Sequence, residues 1–252
     1  MKKILLALIG LVVFINISNA QNDTMYFMKN GEVVGKYNVN NQVDSIVFHQ
    51  SSLTLGNTFT DPRDGIVYQT VTIGNQIWMA ENLKYLPSVV DKGAESVTIP
   101  YYYVYDYDGK NVAVAKATAY YNTYGVLYNW VAAKTACPTG WHLPDDAEWT
   151  ELTDYLGGAL VAGGKLKETG TTHWDDPNIA TNESGFTALP GGWRYYYEGA
   201  WSGIGHAGYW WSATENGNYA KKIGMQHGTI GLVGGNVTRH KAFGQSVRCV
   251  RD

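Results

Sequence analysis

The chain has 252 residues, with 19 Lys or Arg against 22 Asp or Glu and a formal net charge of −3. This balance excludes an electrostatic nucleic-acid binder, which needs a clustered basic field. Two cysteines exclude a small disulfide scaffold and a four-cysteine zinc site. A hydrophobic content of 45% excludes wholesale disorder. What remains is a folded protein that is unusually rich in Gly (29), Tyr (19) and Trp (9).

Residues 1–20 have the layout of a secretory signal peptide. Lys2 and Lys3 precede an apolar run at 4–17, and Ser18-Asn19-Ala20 places small residues at a cleavage site. The run is shorter than the roughly 20 residues that a membrane-spanning helix needs. We therefore expect an exported protein, in the periplasm, at the cell surface or outside the cell. We expect no membrane span after removal of the signal.

The expected export determines which oxidation state we predict for the two cysteines, Cys137 and Cys249. In an oxidising compartment the simplest arrangement is a disulfide between them. The alternative is a reactive thiol at Cys137, although that residue has no CxxC partner and precedes a proline.

Residues 21–52 predict a small N-terminal β unit followed by a linker. Residues 25–28 and 45–48 are short apolar runs, and Asn30-Gly31 is a strong turn signal before a second strand that begins at Glu32. A unit of this size is too small to hold a core alone.

Residues 53–252 predict one larger domain, which opens with β structure. The segment 61–65 contains Pro and Gly at turn positions, and the alternating run 66–73 predicts a strand. Gly74-Asn75 then predicts a hairpin to a strand at 76–79. Residues 86–120 have little pattern and predict a long surface excursion.

Two helices are predicted in the middle of the chain. The first covers 124–136 and stops at Cys137-Pro138. The second begins at the N-cap Asp145, has Glu148 in the capping-box position, and ends at Gly157-Gly158. Short strands joined by glycine-rich loops follow at 185–189, 209–214, 219–225 and 246–250. Together these elements predict an α+β fold.

Several motifs occur together in an order that resembles a known domain. They lie at residues 59–65, 78–83, 124–128, 137–144, 182–186, 211–215 and 246–250. They resemble the Fibrobacter succinogenes major paralogous domain, found in exported proteins of Bacteroidetes and their relatives. The resemblance implies a fold similar to C-type lectins and sulfatase-modifying factors, with two helices, short antiparallel strands and long loops. It also supports the disulfide, because Cys137 and Cys249 match the places of a cysteine pair in lectin-like domains.

The departures from those relatives bear on function. The calcium-binding Glu-Pro-Asn, Gln-Pro-Asp and Trp-Asn-Asp motifs of sugar-binding lectins are missing, and so are the paired cysteines of the formylglycine-generating branch. The resemblance therefore implies a fold without a catalytic mechanism, and no catalytic residue is predicted. Calcium stays open as a ligand, mainly on the analogy of fold, with the oxygen-rich loop around Asp175-Asp176 and Asn182-Glu183 as its place.

Other motifs favour structural interpretations. Residues 203–208 fit GxGxxG but are predicted to lead from a loop into a strand, unlike a dinucleotide site, where a helix follows. Asp145, Asp146 and Glu148 crowd a helix N-terminus, where the dipole favours negative charge. His142 is predicted to be a local packing or hydrogen-bonding residue.

The aromatic residues separate into two groups. Trp78, Trp130, Trp141 and Trp149 lie in periodic elements and are predicted to be core. Others lie in or beside glycine-rich loops, where their rings either stack on a ligand or fill a loop-rich interior. The candidate ligand-binding residues are Trp193, Arg194, Tyr195, Tyr196, Trp201 and Trp210.

From these observations we expect an exported, non-enzymatic binding module. Polysaccharide is the first expected partner and a surface protein the second. One alternative is a structural component of a surface assembly, in which the small β unit adds to the sheet edge of a neighbour. Another is an enzyme whose residues converge only in the folded chain.

Overall fold

A computed structural model of the protein describes residues 4–8, 11–15, 24–29, 32–38, 57–233 and 237–252. The chain divides into two units, Met1–Leu53 and Thr54–Asp252.

The first unit contains a four-stranded antiparallel sheet. Its strands, in their order across the sheet, are β1 (Ile4–Leu8), β2 (Leu11–Ile15), β3 (Thr24–Lys29) and β4 (Glu32–Asn38). Lys29 pairs with Glu32, which is the register expected for a hairpin at Asn30-Gly31. The strand expected at 45–48 lies outside the described residues. β1 and β2 fall within the predicted signal peptide, so of the strands described in this unit its removal would leave β3 and β4.

The second unit mixes short helices with mainly antiparallel strands, which confirms the α+β prediction. Its strands are β5 (Asn57–Thr60), β6 (Val67–Ile73), β7 (Gln76–Met79), β8 (Tyr102–Tyr103), β9 (Leu127–Tyr128), β10 (Trp141–His142), β11 (Gly191–Arg194), β12 (Trp201–Ile204), β13 (Ala207–Asn216), β14 (Tyr219–Gln226), β15 (Thr238–His240) and β16 (Val250–Arg251). Its helices are α1 (Val112–Lys116), α2 (Ala119–Tyr124), α3 (Trp130–Ala136), α4 (Asp146–Tyr155) and α5 (Ala159–Leu166).

Most of these strands belong to two five-stranded sheets. Their orders are β10-β16-β7-β6-β5 and β12-β11-β13-β14-β15. The hairpin predicted across Gly74-Asn75 is confirmed, since β6 and β7 pair with Ile73 opposite Gln76. The last predicted strand, 246–250, differs from the observed one, because only Val250 of that segment lies in β16, which continues to Arg251. The strand predicted at 185–189 is reduced to a single bridge between Lys167 and Ala188.

The helix predicted at 124–136 is interrupted. Gly125 has a positive φ of 78°, and a Cβ atom there would lie 2.8 Å from the carbonyl oxygen of Leu83. The chain therefore turns and forms β9 before α3 begins. Asn129 caps α3 by accepting a hydrogen bond from the backbone N–H of Ala132 at 3.0 Å.

The second predicted helix is confirmed as α4. Asp145 accepts a hydrogen bond from the backbone N–H of Glu148, and the Glu148 carboxylate accepts one from the N–H of Asp145. Both contacts together form the expected capping box. The helix ends before Gly157 and Gly158, as predicted, but α5 follows at once.

The segment 86–120 was predicted wrongly as a surface excursion. Leu86, Val89, Tyr103 and Val104 are buried, and the segment contains β8 and α1. The error arises because single buried rings in an irregular segment leave no periodic pattern to detect.

Large rings fill the core, and a disulfide closes it. The predicted core residues Trp78, Trp130, Trp141 and Trp149 are all buried. Cys137, at the end of α3, is bonded to Cys249, next to β16, with a Cα–Cα distance of 5.9 Å. The predicted pairing is confirmed, and Cys137 is not a free thiol.

Among the residues described, no helix combines the length and the apolar character needed to span a membrane.

Candidate functional site

The six predicted ligand-binding side chains do not form one surface. Trp210 is fully buried, and its Nε1–H donates to Oδ1 of Asn82 at 2.8 Å. Arg194 is also fully buried and donates to the carbonyl oxygens of Lys92 and Ala242. Its guanidinium lies 4.3 Å from the centre of the Tyr103 ring. Both residues are therefore part of the interior, and their assignment to a surface site is corrected.

Trp193 is half-buried and packs within its own sheet. A Cβ atom at Gly203 of the neighbouring strand would lie 2.0 Å from its ring, so the indole covers the open face of that glycine. The ring also makes an edge contact with Tyr209 at 5.1 Å between centroids. These contacts give Trp193 a packing role.

Tyr195 and Tyr196 are brought together with other exposed rings. Tyr195 is 43% exposed and Tyr197 is 72% exposed. The centroid of Tyr196 lies 5.5 Å from that of Tyr195 and 6.5 Å from that of Tyr197. Because these three residues directly follow β11, one short loop presents two exposed rings, Tyr195 and Tyr197, with the half-buried Tyr196 between them.

The same surface extends onto the far edge of the sheet. His240 of β15 contacts Tyr196 at 4.6 Å between centroids and Tyr219 at 5.6 Å. Tyr219 is 49% exposed and lies opposite His240 in the register of β14 and β15. We call Tyr195, Tyr196, Tyr197, Tyr219 and His240 the tyrosine patch.

Contacts below the tyrosine patch fix its position. The buried ring of Phe243 lies 5.1 Å from Tyr195 and 5.2 Å from Tyr196. The backbone N–H of Tyr195 donates to the carbonyl of Ala200 at 2.8 Å, which closes the loop. Phe243 and the closed loop thus support the rings of Tyr195 and Tyr196 from below.

Trp201 belongs to a second row of rings. Its centroid lies 5.4 Å from that of Tyr105, which lies 5.1 Å from that of Tyr120. Tyr120 in turn contacts Tyr124 at 6.3 Å. Trp201 is half-buried in this row, and no described ring contact joins it to the tyrosine patch.

Asp175 and Glu183, two of the acidic residues considered for calcium, have partners within the protein. Glu183 forms an ion pair with Lys165 at 2.8 Å, and Asp175 lies 3.6 Å from Nδ1 of His206. Asn182 accepts a hydrogen bond from the N–H of Thr187 at 2.9 Å. In the described part of the chain, no group of three or more His, Cys, Asp or Glu side chains is placed to hold a metal ion.

His142 is a hydrogen-bonding residue, as predicted. Its Nε2 lies 2.6 Å from the Glu148 carboxylate, and its Nδ1 lies 2.6 Å from that of Asp252. Burial acts to lower its pKa, but the hydrogen bonds to Asp252 and Glu148 prevail and raise the pKa above the usual value. His142, which lies in β10, thereby links Glu148 of α4 to Asp252, the residue that follows β16.

The GxGxxG segment at 203–208 is a turn between two strands. Gly205 and His206 connect β12 to β13, and the N–H of His206 donates to the carbonyl of Gly203 at 3.1 Å. No helix follows, so the geometry of a dinucleotide site is absent from these residues.

Three members of the tyrosine patch, Tyr197, Tyr219 and His240, were not among the candidate residues predicted from the sequence. Tyr219 opens β14, and His240 lies on a strand of three residues. A strand this short carries no detectable alternation, so its pairing with β14 leaves no signal in the sequence.

Comparison with known proteins identifies one family. The family model described as the Fibrobacter succinogenes major domain matches residues 71–251. No match was found among curated proteins or among solved structures.

Proposed function

This chain belongs to the Fibrobacter succinogenes major domain family, and from that premise we propose that it is an exported, non-catalytic module that binds polysaccharide through the tyrosine patch. The finer assignment of its α+β fold as C-type lectin-like is part of the proposal. The disulfide from the end of α3 to the last strand supports that assignment, because it links the positions expected from the family resemblance.

The exposure of the tyrosine patch carries the functional proposal. Tyr195, Tyr197 and Tyr219 each expose much of a large ring, while Phe243 supports the patch from below. A contiguous exposed apolar patch on a folded protein commonly marks an interaction surface. A tyrosine offers an apolar face and a hydroxyl at its edge, which suits the apolar face and the hydroxyl rim of a sugar ring.

The experiment is a glycan array probed with the purified mature protein and two variants. The double variant Tyr195→Ala, Tyr197→Ala removes two exposed rings of the patch. Tyr155→Ala is the matched control, because Tyr155 is 67% exposed on α4 and outside the patch. We expect the double variant to lose glycan signal and the control to keep it. Absence of any glycan signal, or equal losses in the two variants, would contradict the proposal.

A structural role in a surface assembly is the second candidate. β4 is an edge strand of the N-terminal sheet, and removal of residues 1–20 would make β3 an edge as well. Edge strands pair with strands of other chains through their free backbone groups. The test is capture of a surface protein by the full mature chain, compared with a variant that lacks residues 21–52. A captured partner together with a silent glycan array would favour this role over sugar binding.

A further inference from the structure

His240 lies between two tyrosine rings of the tyrosine patch. The centroid of its imidazole is 4.6 Å from that of Tyr196, with 31° between the two planes, and 5.6 Å from that of Tyr219, with 82° between the planes. Tyr196 is thus only slightly tilted from the plane of the imidazole, while Tyr219 stands nearly perpendicular to it. Apart from the tyrosine hydroxyls, the two imidazole nitrogens are the only polar side-chain atoms of the patch.

Backbone groups hold the imidazole in place. The N–H of Ala242 donates to Nδ1 of His240 at 3.5 Å, and the N–H of Phe243 donates to the carbonyl oxygen of His240 at 3.0 Å. On its other side, His240 is paired with Tyr219 across β14 and β15. These contacts belong to a turn and a strand pair, so the ring is oriented before any ligand arrives.

The hydrogen bond from Ala242 fixes which nitrogen of His240 carries the proton. A backbone N–H can only donate, so Nδ1 accepts with its lone pair, and the proton of the neutral imidazole lies on Nε2. Among the described residues Nε2 has no hydrogen-bond partner, and it is not one of the polar atoms that are buried without a partner. The Nε2–H group is therefore an unused donor that is open to solvent.

An unused donor within an aromatic surface selects among ligands. A sugar that bridges Tyr196 and Tyr219 covers His240 between them and displaces the water on Nε2. Affinity falls if the donor then stays unpaired, whereas an acceptor on the ligand restores the hydrogen bond. The patch therefore favours a ligand that places an oxygen at Nε2 over an apolar ring of the same size, which is a preference that the tyrosine faces alone do not provide.

We propose that His240 is the hydrogen-bond donor that orients a neutral sugar on the tyrosine patch, with its Nε2–H donating to a hydroxyl or ring oxygen of that sugar. The donor is uncharged in this tautomer, so an uncharged oxygen is a sufficient partner. Lys221, the next residue on the same face of β14 as Tyr219, is already paired with Asp146 and so does not favour an acidic sugar. The inference rests on the proposed function, because it concerns the same surface.

The test is affinity electrophoresis of the purified mature protein in gels that contain xyloglucan, galactomannan or polygalacturonate, of which the first two are neutral and the third is acidic. His240→Phe keeps an aromatic ring between Tyr196 and Tyr219 but has no N–H. His240→Gln loses the ring but places an amide N–H near the position of Nε2. His206→Phe is the matched control, because the His206 side chain is 49% exposed and lies outside the patch. We expect His240→Phe to weaken retention by a neutral polymer about tenfold and His240→Gln to weaken it no more than about threefold, with the control unchanged.

Three outcomes would overturn the inference. One is retention that survives in His240→Phe and falls in His240→Gln, which would mean that the ring matters and the N–H does not. Another is an equal loss in His240→Phe and His206→Phe. The third is retention by polygalacturonate alone, which would exclude a neutral sugar. If the Tyr195→Ala, Tyr197→Ala variant loses retention while His240→Phe keeps it, the tyrosine patch is supported and the role of His240 is contradicted. Wild-type protein that none of the three polymers retains would contradict both proposals.

A measurement on the unaltered protein does not depend on how the variants fold. NMR of the imidazole nitrogens should show Nδ1 of His240 without a proton and Nε2 with one. Oligosaccharides of the neutral polymer that retains the protein should shift the Nε2 signal. Imidazole signals that stay unchanged at saturating oligosaccharide would contradict the proposed hydrogen bond.

Discussion

The ring of Tyr209 covers the bare backbone of Gly224, its direct partner on the neighbouring strand. A Cβ atom at Gly224 would lie 2.4 Å from a carbon of that ring and 2.7 Å from the carbonyl oxygen of Val233. Trp193 covers Gly203 in the same way. At these two positions the glycine is required by the ring that lies over it, since a side chain there would collide with the ring.

This relationship predicts the effect of adding one methyl group. Gly224→Ala should lower the free energy of unfolding by about 2 kcal/mol, because the ring and the carbonyl of Val233 must both move. Gly93→Ala is the control, since a Cβ atom there meets nothing within 4 Å. Urea denaturation measures both variants. Equal stability of the two would contradict the role of the Tyr209–Gly224 contact.

Removal of the disulfide should cost more. Cys137 and Cys249 are separated by 112 residues, and closing a loop of this length restricts the unfolded chain strongly. The double variant Cys137→Ala, Cys249→Ala should lose about 4 kcal/mol of unfolding free energy. Urea denaturation of the oxidised protein, the reduced protein and the double variant measures this loss. If reduction left the midpoint unchanged, the bridge would not contribute to stability.

Lys222→Met should stabilise the protein, most strongly at low pH. The pKa of Lys222 falls from 10.5 to about 7 on folding. Below pH 7 the amine is charged in both states, so the wild type bears the full cost of burying it. As pH rises above 7, only the unfolded state keeps the proton, and the stability of the wild type rises. The groups facing this amine are Tyr209 on β13 and Arg239 on β15.

The measurement is urea denaturation between pH 6 and 9. We expect the variant to exceed the wild type by on the order of 2 kcal/mol at pH 6, with a difference that shrinks toward pH 9. Lys221→Met should keep the pH dependence of the wild type. A difference that is constant with pH would mean that the proton on Lys222 is not linked to folding.

His142→Gln should lower the free energy of unfolding, and the loss should be larger at low pH than at high pH. The folded-state pKa of His142 is raised, because its hydrogen bonds to Asp252 and Glu148 outweigh the effect of burial. Its contribution is therefore complete below the unfolded pKa of 6.5 and is lost as pH rises through the folded value. Because the side chain is partly exposed, we expect a loss of roughly 0.5 to 1 kcal/mol at pH 5.5. Thermal unfolding at pH 5.5 and 8.5 checks this, and equal losses at both values would refute it.

Local features of the sequence predicted local structure well. The capping box of Asp145 and Glu148 specified the start of α4, because a cap involves residues only three positions apart. The Gly74-Asn75 turn specified the β6–β7 hairpin for the same reason. The disulfide also followed from sequence, since two cysteines in a chain that is expected to be exported have one simplest pairing.

Only the tertiary structure decided which rings are exposed. Tyr195 and Trp210 lie in equally glycine-rich surroundings, yet Tyr195 faces solvent and Trp210 is fully buried beside Asn82. Arg194 is charged in sequence and interior in the fold. Lys222 and Arg239 are 17 positions apart in the printed sequence and become neighbours through the pairing of β14 with the short β15. Exposure and the meeting of distant side chains depend on packing between elements, which the order of residues along the chain does not reveal.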